Sequence, residues 1–585
     1  MALVLEQQHK KSHGIHYTPK ILADHLAARM IEYLPSTPAT LKVVDPAVGD
    51  GELLTALVRV CVGRGIATTA EGFDTDADAV IRAKSRLKSL LPNDCVQLAA
   101  ANFLDQVQKP AKPTLFSCDV LRGSADMIIA NPPYVRTQTL GAIRARKIVE
   151  KFDLSGRVDI YQAFVKAISW SLSPGGITGL IVPNRFMSVQ AGSDTRAYIL
   201  NHFDVLEVWD MGDTRLFEAA VLPAILILRK NDRPSDSNAS NATIFKSVYR
   251  SDTLGINVAK EVKNVCESLC ETGYVRTNEG DVLHVRQGTL DHGMSSTGIW
   301  RLSNGSSEDW LETVSRHTFC LFSDVGKIRV GVKSTADSVY LRKDWSENLP
   351  ELLRPVTTHH VARSFHSTNV TRRILYPHIF EDGKRKAVDL ELYPISKSYL
   401  ERHRTQLEKR TYLMSAGRQW FELWVPQSPE MWVLPKVVFR DIAEKPTFWM
   451  DLDGTVVNGD CYWIVSEYND TEILWLLLAV SNSRFIEKFY DHRFNNKLYA
   501  GRRRFMTQYV ENFPLPNPKS SIARAMIKSV KLIYEGLAAG RDMHAEQKQL
   551  EEDVFISFGL TAQGETVSSG EESEAFDSEY FPQSA

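Results

Sequence analysis

The sequence predicts an α/β fold, in which helices cover both faces of a mostly parallel sheet, followed by a second domain of mixed α+β structure. Two observations lead to this prediction. From residue 18 to about residue 230, short apolar runs alternate with stretches of helical periodicity, and this alternation is typical of βα units. From about residue 243 the pattern is irregular and rich in Trp, Tyr, Arg and His, so a differently built domain is expected there.

The elements of the first domain can be taken in order. A helix is predicted over residues 18–35, with Thr18 as its N-cap and Pro19 in its first turn. The same patterns then predict helices at 52–62, 76–90, 159–172 and 193–202. Strands are expected at 41–44, 70–73, 95–100, 126–130, 177–182, 204–210 and 221–229, with a turn at 173–176.

The length of 585 residues is too great for one core. We expect five segments, which are a first domain at 1–230, a linker at 231–242, a second domain at 243–515, a helical segment at 516–560 and a disordered acidic tail at 561–585. Hydrophobic residues make up 43% and charged residues 24%, with a net charge of −2, as in a soluble globular protein.

Several classes of protein are excluded by what the sequence lacks. It has no apolar run of 18 residues, so no membrane span is expected, and its first residues do not resemble a secretory signal. Of the seven scattered cysteines, Cys266 and Cys270 have poor spacing for zinc. We therefore expect a cytoplasmic protein with reduced cysteines and no metal site.

A short apolar strand runs into Asn131-Pro132-Pro133-Tyr134. The Asn131 side-chain oxygen can accept one N–H of an amino group, and the prolines stiffen the loop so that its carbonyls face outward as further acceptors. Tyr134 offers a flat face on which a base can stack. The alternative is an ordinary turn after a buried strand, because Pro-Pro is a common breaker.

The loop after the first predicted strand, Asp45-Pro46-Ala47-Val48-Gly49-Asp50-Gly51, is typical of a nucleotide-like ligand site. Gly49 and Gly51 allow the backbone to approach a ligand closely. The loop is not G-x-G-x-x-G, and Asp45 and Asp50 would repel a phosphate. These acids suit a cationic ligand that carries an ammonium and a sulfonium.

The next two strand ends add to this pocket. Asp74 follows the second strand, where an acid commonly binds ribose hydroxyls, although it could instead cap the helix that begins near Asp76. After the third strand, Asn102 could bind an adenine amine and Phe103 could pack on its ring. All of these ends lie at the carboxyl edge of the sheet, where α/β folds bind ligands.

These motifs resemble the gamma class of S-adenosylmethionine-dependent adenine DNA methyltransferases of the restriction–modification type. The shared order is a Tyr17-Thr18-Pro19 element, the cofactor loop, the Asn-Pro-Pro-Tyr loop and a C-terminal recognition domain. The likeness covers about residues 13–230 with specific motifs and is weaker beyond residue 243. It implies a Rossmann-like class I methyltransferase sheet, a mixed α+β DNA-recognition domain, and methyl transfer to the N6 amino group of a flipped adenine in double-stranded DNA.

The resemblance also assigns roles to residues. It implies a catalytic loop of Asn131, Pro132, Pro133 and Tyr134 and a cofactor site of Thr18, Asp45, Ala47, Gly49, Asp74, Asn102, Phe103 and Asn131. Phe217 corresponds to a second aromatic that packs against the flipped base, with ordinary core packing as the alternative. Tyr161 and Phe164 are expected in the core. Asp45 departs from the family, since many relatives carry Glu there.

The second domain interleaves basic and aromatic residues, which favours contact with DNA phosphates over a merely solvated surface. The clusters are Lys327–Lys333, Arg354–Arg363, Arg372–Arg373, Lys384–Lys386, Arg402–Arg404 and Arg502–Arg504. With no nuclease motif evident, we expect a monomeric methyltransferase whose cognate restriction endonuclease, if present, is a separate protein. The alternatives are a protein-glutamine methyltransferase, an RNA adenine methyltransferase and a non-catalytic recognition subunit.

Overall fold

The computed structural model describes residues 18–34, 38–108, 123–135, 141–155, 158–217, 222–231, 242–251, 258, 260–293, 295–345, 348–494, 498 and 502–566. The chain forms two compact units. The first unit comprises Met1–Gly305 and Tyr490–Arg504, and the second comprises Ser306–Phe489 and Phe505–Ala585. Within the described ranges, the helices are too short or too polar to cross a membrane.

The first unit is built on a large sheet. Its strands are β1 Thr40–Asp45, β2 Ala67–Asp74, β3 Val96–Ala100, β4 Ala125–Ala130, β5 Leu172–Pro183, β6 Phe203–Asp210, β7 Pro223–Lys230, β8 Ile244–Arg250, β9 Lys260–Val262, β10 Gly273–Thr277, β11 Val282–Asp291 and β12 Arg301–Ser303. Its helices are α1 Lys20–Ile31, α2 Glu52–Gly63, α3 Ala77–Leu87, α4 Phe103–Gln106, α5 Ala142–Lys151, α6 Ile160–Ser171, α7 Ser193–His202 and α8 Val265–Ser268.

The strand order is β3-β2-β1-β4-β5-β7-β6-β8-β11-β10-β9, with β12 beside β11. Strands β1 to β5 run parallel, and β7 runs antiparallel to both β5 and β6. Since β6 is also parallel to β8, the carboxyl ends of β1 to β6 and of β8 lie along one edge. The structure thus gathers seven strand ends where the sequence analysis places the site.

Apolar side chains cover both faces of this sheet. Neighbouring residues of β1 alternate, so that Val43 packs with α1, α2 and α3 while Val44 packs with α6 and α7. The buried residues along one side of each helix pack against these strand side chains. In α1 they include Leu22, Leu26 and Met30. The prediction of an α/β sheet with helices on both faces is confirmed.

The sheet differs from the prediction in extent and direction. Strands β8 to β12 continue it beyond the expected linker, because β8 pairs in parallel with β6, and the first unit reaches Gly305. Most of the expected linker, residues 232–241, lies outside the described residues. The turn expected at Ser173–Gly176 is part of β5, whose register with β4 shifts there, and Gly175 has a φ of 72°.

Two local predictions also need correction. The helix expected from Thr18 begins at Lys20, and Pro19 precedes it without a side-chain cap. Thr18 therefore does not act as the N-cap. Helix α5 was not predicted; four of its ten residues are cations.

The second unit is a mixture of helices and small sheets, as expected for the second domain. Two of its sheets have four strands each, in the orders β14-β24-β20-β22 and β15-β17-β16-β23. The strands are β13 Cys320–Leu321, β14 Arg329–Val330, β15 Leu341–Arg342, β16 Leu353–Thr357, β17 Arg373–Leu375, β18 His378–Glu381, β19 Lys384–Ala387, β20 Lys436–Arg440, β21 Ile442–Ala443, β22 Phe448–Asp451, β23 Val456–Val457, β24 Cys461–Ile464 and β26 Pro514–Leu515. A short strand β25, Arg503–Arg504, belongs to the first unit.

The helices from this point are α9 Gly305–Arg316, α10 Phe322–Val325, α11 Asp337–Tyr340, α12 Pro394–Arg402, α13 Arg404–Glu408, α14 Thr411–Ser415, α15 Thr471–Ser481, α16 Arg484–Phe494, α17 Thr507–Val510, α18 Ser521–Ala538 and α19 His544–Ser557. Helices α18 and α19 occupy the segment where helical periodicity was predicted. Most of the expected acidic tail, residues 567–585, lies outside the described residues. The core of this unit is aromatic and includes Tyr340, Tyr376, Trp432, Trp449 and Trp463.

Candidate active site at the carboxyl edge of the sheet

The structure brings the predicted strand-end residues together on one edge of the first unit. Asp45 ends β1, Asp74 ends β2, Asn102 follows β3 and Asn131 follows β4. These four strands are consecutive neighbours in the order β3-β2-β1-β4 and run parallel. The four predicted residues therefore share one edge of the sheet, as expected, and that edge is the one where α/β folds bind ligands.

Asp45 is buried, with 1% of its surface exposed. Its Oδ1 accepts a hydrogen bond from the Ala47 N–H at 3.0 Å, while its buried Oδ2 has no hydrogen-bond partner among the described residues. Burial raises the pKa of this carboxyl to about 8; the Ala47 N–H lowers it and the charge of Asp74 raises it. A buried carboxylate oxygen without a donor is costly, so this atom is poised to receive a donor or a cation from a ligand.

Asp74 ties the loop after β1 to the end of β2. Its Oδ2 accepts from the Gly49 N–H at 2.8 Å and its Oδ1 accepts from the Asp76 N–H at 2.9 Å. The alternative role as a helix cap falls to Asp76, whose side chain accepts from the N–H groups of Asp78 and Ala79. Asp74 is thus free of the capping role, and its carboxylate is fixed by two backbone donors.

Two glycines shape the same loop. Gly49 and Gly51 have φ values of 51° and 87°, in the left-handed region that favours glycine. A Cβ on Gly51 would lie 2.8 Å from the Cβ of Ala83, so this glycine is also required for close packing of α2 on α3. Asp50, expected to add negative charge for a cationic ligand, instead pairs with Arg86 at 2.8 Å. Asp50 therefore does not offer its charge to a ligand.

The segment after β3 is more enclosed than predicted. Asn102 caps α4, since its Oδ1 accepts from the Leu104 N–H at 3.2 Å and its Nδ2 donates to Asp105 at 2.9 Å. Phe103 is 1% exposed, and its ring packs between those of Phe73 and Phe164, at centroid distances of 5.6 and 6.0 Å. The ring of Phe103 therefore belongs to the core, as does Phe164.

Beside this segment lies a cavity of about 480 Å³ between α4 and α5. Its lining is apolar at Leu104 and Phe152 and basic at Lys147 and Lys151. The Lys151 ammonium donates to the Leu104 carbonyl at 2.7 Å, which joins the two helices. The open space thus adjoins the segment to which the resemblance assigns adenine.

The Asn-Pro-Pro-Tyr loop is held by side-chain hydrogen bonds. The Asn131 Nδ2 donates to the Thr18 hydroxyl at 3.1 Å, and the Asn131 Oδ1 accepts from the Tyr134 hydroxyl at 2.8 Å. Pro132 is buried, whereas Asn131, Pro133 and Tyr134 are half-buried. The two bonds fix the orientation of the amide, because its donor end is taken by Thr18 and its acceptor end faces Tyr134.

Phe217 lies on the connection between β6 and β7 and is 9% exposed. Its side chain is part of the same apolar layer as Trp209, Met211 and Ile225. Residues 218–221, which follow it, lie outside the described residues. In this structure Phe217 packs as core, which matches the alternative interpretation rather than an open stacking platform. Tyr161 is buried, as expected.

One buried cluster at this edge was missed by the sequence analysis. Asp210, at the end of β6, accepts from the Asn184 amide at 2.9 Å, the Tyr249 hydroxyl at 2.7 Å and the Gly212 N–H at 3.3 Å. Burial raises the pKa of Asp210 and that of Tyr249. The strand-end rule that selected Asp45 and Asp74 could have found Asp210, which ends a predicted strand.

Comparisons with known proteins agree with this arrangement. The family described as "Eco57I restriction-modification methylase" matches residues 72–217, and the "TaqI-like C-terminal specificity domain" matches residues 359–515. The Type II methyltransferase M.BanIII of Aneurinibacillus aneurinilyticus is 35% identical over 96% of this chain and 100% of its own length. M.BstVI of Geobacillus stearothermophilus, also a Type II methyltransferase, is 22% identical over 88% of this chain and 92% of its own length.

Among solved structures, the chain is similar to the ATP-dependent Type ISP restriction-modification enzyme LlaBIII bound to DNA. The TM-score is 0.48 at 10% identity, and the alignment covers 89% of this chain and 39% of that enzyme.

Proposed function

We propose that this chain, which belongs to the type II restriction–modification DNA methyltransferases, methylates the N6 amino group of adenine. The chain is an S-adenosylmethionine-dependent enzyme with a class I methyltransferase sheet and a TaqI-like specificity domain, and it acts in DNA methylation. The choice of adenine N6 is our proposal, and one observation carries it. The Asn131 amide stands at the end of β4 with its acceptor oxygen oriented by Thr18 and Tyr134.

The residues present fit the cofactor. The unpartnered Oδ2 of Asp45 and the nearby carboxylate of Asp74 provide the negative charge that a ligand with an ammonium and a sulfonium needs. We assign Asp45 to the cationic end of S-adenosylmethionine and Asp74 to its ribose hydroxyls. Ala47, Gly49 and three other residues implied by the resemblance (Thr18, Asn102 and Asn131) complete the proposed site, to which Phe103 can contribute only its backbone because its ring lies in the core.

When bound, S-adenosylmethionine supplies a methyl group activated by its attachment to a positively charged sulfur. The protein must make a weak nucleophile competent, because the adenine amine delocalises its lone pair into the ring. In the proposed reaction the Asn131 Oδ1 and the Pro132 carbonyl each accept one N–H of the amine. Two acceptors in a stiff loop draw the nitrogen toward tetrahedral geometry and orient its lone pair, so that positioning contributes more than a strong base.

The proposed base contacts follow from the same loop. Tyr134 is half-buried, with its hydroxyl anchored on Asn131, and its ring is the proposed stacking surface for the extrahelical adenine. Stacking offsets part of the cost of removing a base from the duplex, which is a few kcal/mol. Phe217 is proposed as a second contact only if its loop moves the ring out of the apolar layer in which it lies.

We propose that the chain acts as a monomer in the cytoplasm, and that a separate restriction endonuclease is its cognate partner. The free thiols of Cys61, Cys266, Cys320 and Cys461 support a reducing compartment.

Identification of the methylated nucleoside tests the proposal. The full chain is incubated with unmethylated plasmid DNA and cofactor carrying a tritiated methyl group, and the DNA is digested to nucleosides. N6-methyldeoxyadenosine is the expected labelled product. Label in a methylated cytosine, or in RNA or protein supplied in place of DNA, would overturn the assignment.

A further inference from the structure

The basic clusters predicted in the second unit differ in how much of their charge is neutralised. Lys386 pairs with Glu381 at 3.0 Å and Asp382 at 2.5 Å. Arg404 pairs with Glu401 at 3.4 Å and Glu408 at 2.8 Å. A cation that already pairs with a carboxylate gains less free energy by contacting a phosphate. Either the ion pair must break, or the negative carboxylate must stay close to the negative phosphate.

Two other predicted clusters have cations engaged in local contacts. Arg329 lies in the short strand β14, with its guanidinium over the ring of Trp463, and burial lowers its pKa. In the first unit, Arg503 forms two hydrogen bonds of 2.8 Å with Asp491 and has 10% of its side chain exposed. The expectation that Arg503 contacts phosphate is therefore not supported by its placement.

A third group of basic residues has no ion pair in the described part of the chain, and its members are exposed except for Arg372, which is half-buried. We call this group the 343–373 surface, and it consists of Lys343, His360, Arg363, Arg372 and Arg373. Strand β17 pairs Arg373 with Arg342 of β15 and with Pro355 of β16, which brings the segments 342–343, 355–360 and 372–373 together. The pKa of His360 is lowered by His359 first, then by slight burial and by Arg372 and Lys343, as expected for neighbouring like charges.

The one carboxylate that acts on His360 has another partner. Asp460 accepts from the backbone N–H of His359 at 3.3 Å and also contacts the His359 ring at Nδ1. Asp460 therefore hydrogen-bonds to His359 rather than to His360, and the rings of the two histidines lie 3.9 Å apart between centroids. The rest of the 343–373 surface retains its positive potential.

A strained turn holds part of this surface in place. Phe365 is 6% exposed and has a φ of 73°, which is rare for an aromatic residue. Its N–H donates to the Phe448 carbonyl at 2.7 Å, and its carbonyl accepts from the Met450 N–H at 3.2 Å. The Arg363 guanidinium donates to the Ala362 carbonyl at 2.7 Å. The exposed cation is thus carried on a backbone that is fixed before any ligand binds.

We propose that the 343–373 surface is the part of the second unit that holds the phosphate backbone of duplex DNA. Lys386 and Arg404, whose charges are already paired with carboxylates, do not take part. The proposal rests on the function of the chain as a DNA methyltransferase and adds the identity of its recognition contacts. Lysine and arginine side chains without acidic partners, which lie close together and are partly or fully exposed, are the chemistry that phosphate binding requires.

The dependence of binding on salt tests this proposal. Binding of the full chain to a 30-base-pair random-sequence duplex is measured at several salt concentrations for the double variant Arg372→Ala with Arg373→Ala. The slope of log K against log salt is negative, and each lost phosphate contact reduces its magnitude by about 0.9, so we expect its magnitude to decrease by about 1.8. The double variant Arg372→Lys with Arg373→Lys should recover most of the slope, since lysine keeps the charge.

The matched control is the double variant Lys386→Ala with Arg404→Ala, which removes the same charge from the acid-paired clusters. Its slope should equal that of the unchanged protein. An unchanged slope in a folded Arg372→Ala, Arg373→Ala protein, or an equal decrease in the control, would overturn the proposal. If the alanine variant unfolds, the corresponding Gln variant, Arg372→Gln with Arg373→Gln, gives the same readout with less loss of packing.

Failure of this inference and failure of the proposed reaction are distinguishable. The methylated nucleoside is identified in the same preparations, and that result depends on the first unit. A product other than N6-methyldeoxyadenosine would overturn the proposed chemistry while leaving the salt slopes interpretable. An unchanged slope with the expected product would overturn only the assignment of the 343–373 surface.

Discussion

Strands β1 and β6 each end in a buried aspartate at the same edge of the sheet, and the two carboxylates differ in their partners. Asp210 accepts hydrogen bonds on both oxygens, from Asn184, Gly212 and Tyr249. Asp45 accepts one, from Ala47, and its second oxygen has no partner among the described residues. A carboxylate with all its bonds made within the protein stabilises the fold, whereas one with a buried unpartnered oxygen is suited to bind a ligand.

The carboxyl edge of the sheet can be divided into two parts, one at the ends of β1, β2 and β4 and the other at the ends of β6 and β8. At the ends of β1, β2 and β4, the buried Oδ2 of Asp45 has no partner among the described residues, whereas Asp74 and Asn131 are each held by two hydrogen bonds. At β6 and β8, Asp210 and Tyr249 use their polar atoms on each other. Substitutions in the first part should therefore change binding and chemistry, and those in the second part should change the free energy of unfolding.

The largest effect is expected from Asn131→Ala. This change removes an acceptor that acts on the amine in the transition state, so the rate of methyl transfer should fall by about 10²- to 10³-fold, as for removal of a single well-placed hydrogen-bonding group elsewhere. Cofactor affinity should change much less. Single-turnover transfer and calorimetry of cofactor binding measure the two quantities, and a transfer rate near that of the unchanged protein would remove Asn131 from the chemistry.

The next effect concerns Asp45→Asn. Loss of the carboxylate should weaken S-adenosylmethionine binding by about 1.5–3 kcal/mol, the value of a hydrogen bond to a charged group. Asp50→Asn is the matched control, because Asp50 lies in the same loop but pairs with Arg86. Calorimetry should show nearly unchanged affinity for the control. Equal losses in both variants would contradict the special position of Asp45.

The pKa of Asp45 adds a pH dependence to this comparison. The folded protein holds the proton to about pH 8, whereas the ordinary value is 3.8, so the folded state binds more protons than the unfolded state between these values. The free energy of unfolding of the cofactor-free protein should therefore fall as pH rises from about 4 to about 8, and level off above that. Asp45→Asn should remove this component.

Cofactor binding should reverse the protonation. A cationic ligand favours the ionised carboxylate, so binding at pH 7 should release close to one proton, which calorimetry in buffers of different ionisation enthalpy measures. Asp45→Asn should abolish the release. Proton uptake, or no exchange in the unchanged protein, would show that Asp45 does not meet a cation.

Much of the first part of the edge could be predicted from the sequence, and the second part could not. Asp45 and Asn131 directly follow apolar runs, and Asp74 follows the strand predicted at 70–73, so local patterns placed all three at strand ends. The partner of Asp210 comes from β8, in a segment that the sequence assigned to another domain. Parallel pairing of β6 with β8 is a long-range contact that leaves no mark in the local periodicity.

The contacts of individual side chains were also beyond what local sequence patterns could predict. The periodicity placed α7 at Ser193–His202 correctly, whereas Thr18 was given to a helix cap because Thr before Pro is a common start signal. Its hydroxyl in fact contacts Asn131, 113 residues away in the chain. The sequence also showed which clusters are basic in the second unit, but only the fold shows which of them have acidic partners.

Tyr249→Phe should affect stability rather than chemistry. Removal of the hydroxyl leaves a buried Asp210 oxygen without its donor, which should cost about 1–3 kcal/mol in the free energy of unfolding. Tyr274→Phe in β10 is the control, because its hydroxyl makes no hydrogen bond in the described part of the chain. Denaturant unfolding checks both. A loss of cofactor affinity with unchanged stability in Tyr249→Phe would place this cluster in the site.

The smallest effect is expected from Thr18→Val. This variant tests whether Thr18 orients the catalytic amide or binds the cofactor. Valine keeps the shape but cannot accept the hydrogen bond from the Asn131 Nδ2, so the amide is held less well. One neutral hydrogen bond contributes about 0.5–1.5 kcal/mol, and kcat should fall by about 2- to 10-fold with the cofactor Kd unchanged. Thr18→Ser retains the hydroxyl and should restore kcat. If the Kd for S-adenosylmethionine rises while kcat is kept, Thr18 contacts the cofactor directly, as the family resemblance implies, and its bond to Asn131 is secondary. The two outcomes separate a residue that orients the catalytic amide from one that binds the methyl donor.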